Sequence, residues 1–167
     1  MKVSTVDEMR NLDRKAIEDF HIPDEILMEN AGLATYSMIL NEFGIAGKKF
    51  VIICGLGNNG GDGFVVAKKI HSLGGEAKII IVGDPKKYRG AARSNYEITQ
   101  HLKIQTGQFE TIENLKSDLS KCDAIVDAIF GTGLTRTVEG KYKEIIETIN
   151  QSGKTVFAVD IPSGING

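Results

Sequence analysis

Three short segments carry the residues that could do chemistry: Gly57-Asn58-Asn59-Gly60-Gly61-Asp62, the run from Asp127 to Thr137, and Asp160-Ile161-Pro162-Ser163-Gly164. Each follows an apolar run and delivers an acid, glycines and side-chain oxygens. A glycine-rich turn between a strand and a helix presents backbone N–H groups to an anionic ligand. Gly55-x-Gly57-x-x-Gly60 satisfies the dinucleotide fingerprint, a weak signal alone because such turns are common in α/β proteins. The polar cargo of Asn58, Asn59 and Asp62 is more informative, set among glycines read here as serving no core. Each acid also has a plainer role. Asp62 can cap the helix that follows, and Asp160 can be an Asx-turn residue. Asp127, at the end of an apolar run, needs a cation or strong donors. An oxygen set such as the Asn59 amide, the Asp127 carboxylate and the Ser163 hydroxyl suits a hard cation rather than zinc or copper. His21, His71 and His101 are scattered and form no zinc spacing.

The elements that must position these residues are legible in the periodicity. A first helix over Ser4 to Phe20 opens with a capping box, Ser4 with Asp7 or Thr5 with Glu8. Val6, Met9, Asp13, Ala16, Ile17 and Phe20 fall near helical spacing with one polar break. A second helix starts at Pro23 and ends near Phe43-Gly44, with Ile26, Leu27, Ala31, Ala34, Met38 and Ile39 as its apolar face. Glu29 is expected to be solvated, and small Ala31 and Gly32 mark a close helix crossing. Strands are then expected at Phe50–Cys54, Ala77–Val82, weakly at Ile104–Phe109, at Ala124–Ile129 and at Thr155–Val159. Helices alternate with them at Asp62–Leu73, Ala91–Leu102, Ile112–Ser120 and Gly140–Gln151. Continuous apolar strands between amphipathic helices predict a mainly parallel sheet covered on both faces, an α/β three-layer Rossmann-like sandwich with an added N-terminal helical segment. Ligands in such a sheet bind outside the carboxyl ends of the strands, where all three polar segments fall.

Composition narrows the class. The 167 residues form one domain of ordinary soluble character, 41% hydrophobic and 25% charged. A net charge of −2 gives no reason to expect nucleic acid or an anionic membrane as partner. No apolar run approaches a membrane span, and the first residues lack the apolar stretch of a secretion signal. Cys54 and Cys122 lie in or beside apolar runs and read as buried free thiols, which suits the cytoplasm.

Gly57-Asn58-Asn59-Gly60-Gly61-Asp62-Gly63, Val126-Asp127-Ala128-Ile129-Phe130-Gly131-Thr132-Gly133 and Val159-Asp160-Ile161-Pro162-Ser163-Gly164 resemble the three signature segments of the YjeF N-terminal domain family, the NAD(P)H-hydrate epimerases. Ile26-Leu27-Met28-Glu29-Asn30-Ala31-Gly32 resembles the family's N-terminal helix. The resemblance implies interconversion of the S and R forms of NADHX and NADPHX, the hydrated and damaged reduced cofactors, within nicotinamide nucleotide repair. It implies that Asn58, Asn59, Gly60, Gly61 and Asp62, together with Gly131, Thr132, Gly133, Leu134, Thr135, Arg136 and Thr137, bind the damaged nucleotide, with Asp160 at the reacting ring. It implies that Asn59, Asp127 and Ser163 hold a potassium ion, that the protein is a homodimer, and that an NAD(P)HX dehydratase is its functional partner, on another chain or a missing C-terminal domain. Family domains continue past the Asp160 segment with further strands, so this chain is expected to be truncated, its last strand an unprotected edge or one covered by a partner chain.

The substrate dictates the chemistry. Hydration makes C6 of the nicotinamide ring a hemiaminal carbon, and inverting it breaks either C6–O, giving an iminium, or C6–N1, giving an open aldehyde. Both routes need a proton delivered and later withdrawn, and Asp160 is the candidate general acid and base. Two rival readings remain. An NAD-dependent dehydrogenase would use the glycine fingerprint and Asp84 after the second strand. A non-catalytic nucleotide- or protein-binding module of this fold needs none of the acids, yet Asp62, Asp127 and Asp160 are all present.

Overall fold

The computed structural model describes residues 5–165. Helix α1 (Val6–Glu18) opens on a Thr5–Glu8 capping box; the alternative through Ser4 lies outside the described residues. Helix α2 (Asp24–Glu42) follows directly after Pro23. The chain then alternates: β1 (Lys49–Cys54), α3 (Asn58–Ser72), β2 (Glu76–Ile81), α4 (Gly90–His101), β3 (Gln105–Gln108), α5 (Ile112–Lys121), β4 (Ala124–Ala128), α6 (Lys141–Gln151) and β5 (Thr155–Ala158), with one 3₁₀ turn at Pro85–Lys87. The strands form one parallel sheet in the order β3-β2-β1-β4-β5, as the continuous apolar runs predicted. The strand order reverses direction between β1 and β4. A crevice opens there, at the carboxyl ends of the strands, which is where ligands bind in such sheets.

Side chains alternate across the sheet and divide the core into two layers. Phe50, Ile52, Cys54, Ala124, Val126 and Ala128 pack with Met28, Ile39, Phe64 and Tyr88 under α2, α3 and α4. Val51, Ile53, Ile125 and Ile129 pack with Leu115, Leu119, Ile145 and Ile149 under α5 and α6. Asp127 takes the place in that second alternation where an apolar residue would ordinarily sit. Its carboxylate therefore needs partners.

The structure corrects three expectations. Helix α3 begins at Asn58, four residues before the expected start, and Gly57 occupies the N-cap position without a side-chain cap. Asp62 thus lies in the second turn and is not the cap. The glycines there do serve the core: Gly60, Gly61 and Gly63 are buried. A Cβ on Gly60 would strike the Gly55 carbonyl, one on Gly61 would lie 2.6 Å from Met28, and one on Gly63 would lie 2.6 Å from Ala128. Absent side chains let α3 settle directly on β1 and β4. Second, α2 buries Met28, Gly32, Thr35 and Ile39, a stripe rotated from the expected one, and leaves Ile26 and Met38 exposed. Gly32 sets that rotation, since a Cβ there would come within 2.5 Å of Val65. Third, Glu29 is not a solvated residue: its carboxylate pairs with Lys68 at 3.0 Å and Lys69 at 2.8 Å, while Lys68 also donates to Asn95 at 2.6 Å. Burial pushes the Glu29 carboxyl up, but hydrogen bonds from Lys69 and Lys68 outweigh it and leave it below the ordinary value. That network ties α2 to α3 and, through Asn95, to α4.

Candidate active site

The carboxyl end of β4 is held by the segment after β5. Asp127 is buried. Ser163 donates its hydroxyl to Asp127 Oδ1 at 2.6 Å and its backbone N–H to Oδ2 at 2.8 Å, and the Ile129 N–H reaches Oδ1 at 3.2 Å. Phe130 N–H in turn donates to Ser163 Oγ at 2.9 Å. Of the two requirements posed by the sequence, a cation or strong donors, the chain supplies the donors. Asp127 clamps the two strand ends together.

Asp160 reaches across to the β4–α6 loop. Its Oδ2 accepts the Thr132 N–H at 2.7 Å, a link between strand ends and not a local Asx turn. Gly131 makes this possible, because a Cβ there would collide with the Asp160 carboxylate. The turn after β1 is braced from behind. Buried Tyr88 donates its hydroxyl to the Gly55 carbonyl at 2.8 Å and packs edge-on against Phe64. Gly55 itself sits so close to Ile129 that no side chain fits between them. The β1 and β4 strand ends are therefore in contact at the foot of α3, whose first turn directs its unpaired N–H groups outward.

Asn59, in that first turn, is the one side chain of its kind among the described residues: both amide atoms are buried and neither has a partner. A buried amide without a partner is costly. Its oxygen is a ready ligand for a hard cation. No cluster of three or more His, Cys, Asp or Glu suited to a metal occurs among the described residues, and an ion here would rest on amide, hydroxyl and carboxylate oxygens instead.

A cleft of about 490 Å³ lies above these strand ends. Asn58 and Asp62 of α3, Thr132 of the β4–α6 loop and Asp160 line one side; Leu27, Met28, Ala31 and Met38 of α2 and Met9, Asp13 and Ile17 of α1 line the other. Burial lifts the Asp62 carboxyl to about 7, with like charge from Asp160 and Asp13 adding to it. Leu134, Arg136 and Thr137 line a second hollow with Phe130 and Tyr142, outside the acidic cleft. Gly133 and Thr135 lie on the same loop and line neither hollow. The sequence reading had passed over Arg10 and Asp13. Arg10 donates to the Thr132 carbonyl at 2.8 Å, tethering α1 to the loop. The one signal for this was Asp13 itself, the polar break in the apolar stripe of α1. Asp84, the residue a dehydrogenase would use on the ribose, instead caps the 3₁₀ turn by accepting the Lys86 N–H at 3.0 Å. Cys54 and Cys122 are buried free thiols, and desolvation raises the affinity of each for its proton.

Residues 24–167 match the family model described as YjeF-related protein N-terminus. The chain belongs to this family. It is similar to a protein named NAD(P)H-hydrate epimerase from Limosilactobacillus reuteri (strain ATCC 55730 / SD2112), with 41% identity over 165 residues, 99% of this chain and 75% of that protein. It is also 42% identical over 169 residues to the bifunctional NAD(P)H-hydrate repair enzyme Nnr of Thermofilum pendens, covering 100% of this chain but 32% of that protein. The crystal structure of yeast ynu0 superposes with a TM-score of 0.88 at 24% identity, over 98% of this chain and 72% of that one, and confirms the fold. The family model begins after α1, so Met9, Arg10, Asp13 and Ile17 lie outside the matched segment.

Proposed function

We propose that the chain is an NAD(P)H-hydrate epimerase, an isomerase that interconverts the S and R forms of NADHX and NADPHX. The similarity to proteins named for that activity supports the reading, and the observation that carries it is the cleft. An acid-lined cleft at the switch of the strand order holds Asp160, whose Oδ2 accepts the Thr132 N–H of the β4–α6 loop. The first turn of α3, Asn58 to Gly61, and the loop Gly131–Thr137 take the nucleotide, with backbone N–H groups and the positive end of α3 toward its phosphates. Arg136, in the neighbouring hollow, supplies a cation for the diphosphate. The nicotinamide hydrate then sits in the acidic cleft, where positive charge developing on the ring is favoured.

Asp160 acts there as general acid and base at the hemiaminal carbon or at N1, help typically worth about 10²–10⁴-fold. The orphaned Asn59 amide, with Asp127 and Ser163, forms the set that would hold a potassium ion, which would fix the first turn of α3 against β4. The dehydratase reaction fused in bifunctional relatives belongs to a partner activity. A homodimer fits the apolar side chains that α1 and α2 leave exposed, among them Leu12, Ile26, Leu33 and Leu40. The cytoplasm, where reduced nicotinamide cofactors are used, is its expected place, in keeping with its two free thiols.

The test is Asp160→Asn. Epimerisation followed by chromatography is expected to fall by about 10² or more while folding and nucleotide binding persist. Near-normal turnover would remove Asp160 from its role.

A further inference from the structure

Inverting the hemiaminal carbon needs a proton delivered and a proton withdrawn, and four carboxyls, those of Asp13, Asp24, Asp62 and Asp160, line the cleft. Asp62 projects from the second turn of α3 into the same space as Asp160. Among the described residues no hydrogen bond reaches the Asp62 carboxyl, whereas Asp160 Oδ2 accepts the Thr132 N–H. The groups facing Asp62 are acidic or neutral on every side: Asp13 from α1, Asp24 lining the same cleft from α2, Asp160 from the segment after β5, and the buried Cys54 thiol from β1. No Lys or Arg among the described residues lines this cleft. One turn before Asp62, the unpartnered Asn59 amide marks the same part of α3 as built to meet something other than protein. A half-buried carboxyl facing like charge, with no basic side chain to pair it, holds its proton more tightly than an exposed one.

We propose that Asp62 is a second catalytic carboxyl, the proton donor to Asp160's acceptor, so that the site works as an acid–base pair. This rests on the epimerase reading. On the iminium route the Asp62 O–H bond breaks and its proton passes to the C6 hydroxyl oxygen. The C6–O bond breaks with its electron pair leaving on water, and the N1 lone pair closes C6=N1. Water adds to the other face of C6, the π pair returns to N1, and the extra proton of the added water passes to Asp160. On the ring-opening route Asp160 takes the hydroxyl proton as C=O forms, the C6–N1 pair leaves with N1, and N1 takes the Asp62 proton. Rotation about C5–C6 and the reverse steps close the ring on the other face. On the iminium route, proton exchange between the two carboxyls then restores the starting state. Environments that push two neighbouring carboxyls apart in affinity for protons are the usual basis for such a division of roles. Burial and the like charges of Asp160 and Asp13 hold Asp62 near 7, matched to neutral pH.

The experiment compares kcat and KM of the wild type, Asp62→Asn and Asp62→Ser for NADHX between pH 5 and 9, with folding checked by circular dichroism. Asp62→Asn is expected to lose about 10²-fold in kcat with KM within about threefold, and to lose the fall in kcat that the wild type shows above pH 7. A variant with kcat within threefold of wild type, or one whose KM rises while kcat stays, overturns the assignment and leaves Asp62 a binding residue. Asp62→Ser gives the same reading if the amide disturbs folding. A wild type without turnover overturns the epimerase reading and this proposal with it, whereas an active wild type with an unaffected variant overturns this proposal alone.

Discussion

At the scale of single residues, the site is a set of groups held at some cost to the fold. Ionising Asp62 is penalised in the folded chain because its affinity for a proton rises from about 3.8 to about 7. The folded state therefore binds more protons than the unfolded state between those values, and stability falls as pH rises through that window. Asp62→Asn removes the penalty. It is expected to be more stable than the wild type by about 1–3 kcal/mol at pH 8, with the gain vanishing near pH 4, as read by thermal melts across pH. A variant no more stable at pH 8 would mean that Asp62 meets donors in solution. Gly131 makes a second case. Gly131→Ala puts a methyl group where the Asp160 carboxylate lies, and is expected to lower turnover by at least about tenfold while the melting temperature changes little. Asp127 and Asp160 announced themselves in the sequence because each ends an apolar run. Asp13 showed only as a polar break in the stripe of α1, since nothing local shows that α1 folds back over the sheet.

At the scale of elements, strands were the most legible part of the sequence. β1 and β4 are apolar almost throughout, as strands buried on both faces are, while β2 carries Lys78 and the edge strand β5 leaves Val156 exposed. Helix faces were harder. On α2 both the expected stripe and the observed one are largely apolar, and the choice falls to Gly32, which lets Val65 approach to a distance no other residue allows. The start of α3 was missed for a related reason. Glycine and asparagine suggest a turn by local preference, but burial against β1 and β4 overrides that preference here. Gly32→Val is therefore expected to destabilise by about 1–3 kcal/mol in denaturant melts, through strain between α2 and α3. Glu29→Gln is expected to cost about 1–2 kcal/mol, because Lys68, 14% exposed, loses its anionic partner. Stability unchanged in both variants would mean that the crossing of α2 over α3 is not set by these contacts.

At the scale of the whole molecule, the three strand ends act as one object. The Asp127–Ser163 clamp joins β4 to the segment after β5, Asp160–Thr132 joins that segment to the β4–α6 loop, and Arg10–Thr132 brings α1 onto the same loop. An ion held by Asn59, Asp127 and Ser163 would add the first turn of α3 to this set, and ligands that bind only the folded state raise its stability by mass action. Potassium is accordingly expected to raise the melting temperature of the wild type and to leave Asn59→Ala unchanged relative to sodium or lithium. Equal shifts in both proteins would remove Asn59 from the ion. The central claim is that this assembled edge turns over a hydrated nicotinamide. Its most direct measurement is chromatography of S and R NADHX after incubation of one epimer with the protein, with and without potassium. The expected result is approach to the equilibrium mixture far faster than in buffer, faster still with potassium, and lost in Asp160→Asn. Epimer ratios that drift at the buffer rate, whatever the salt, would contradict it.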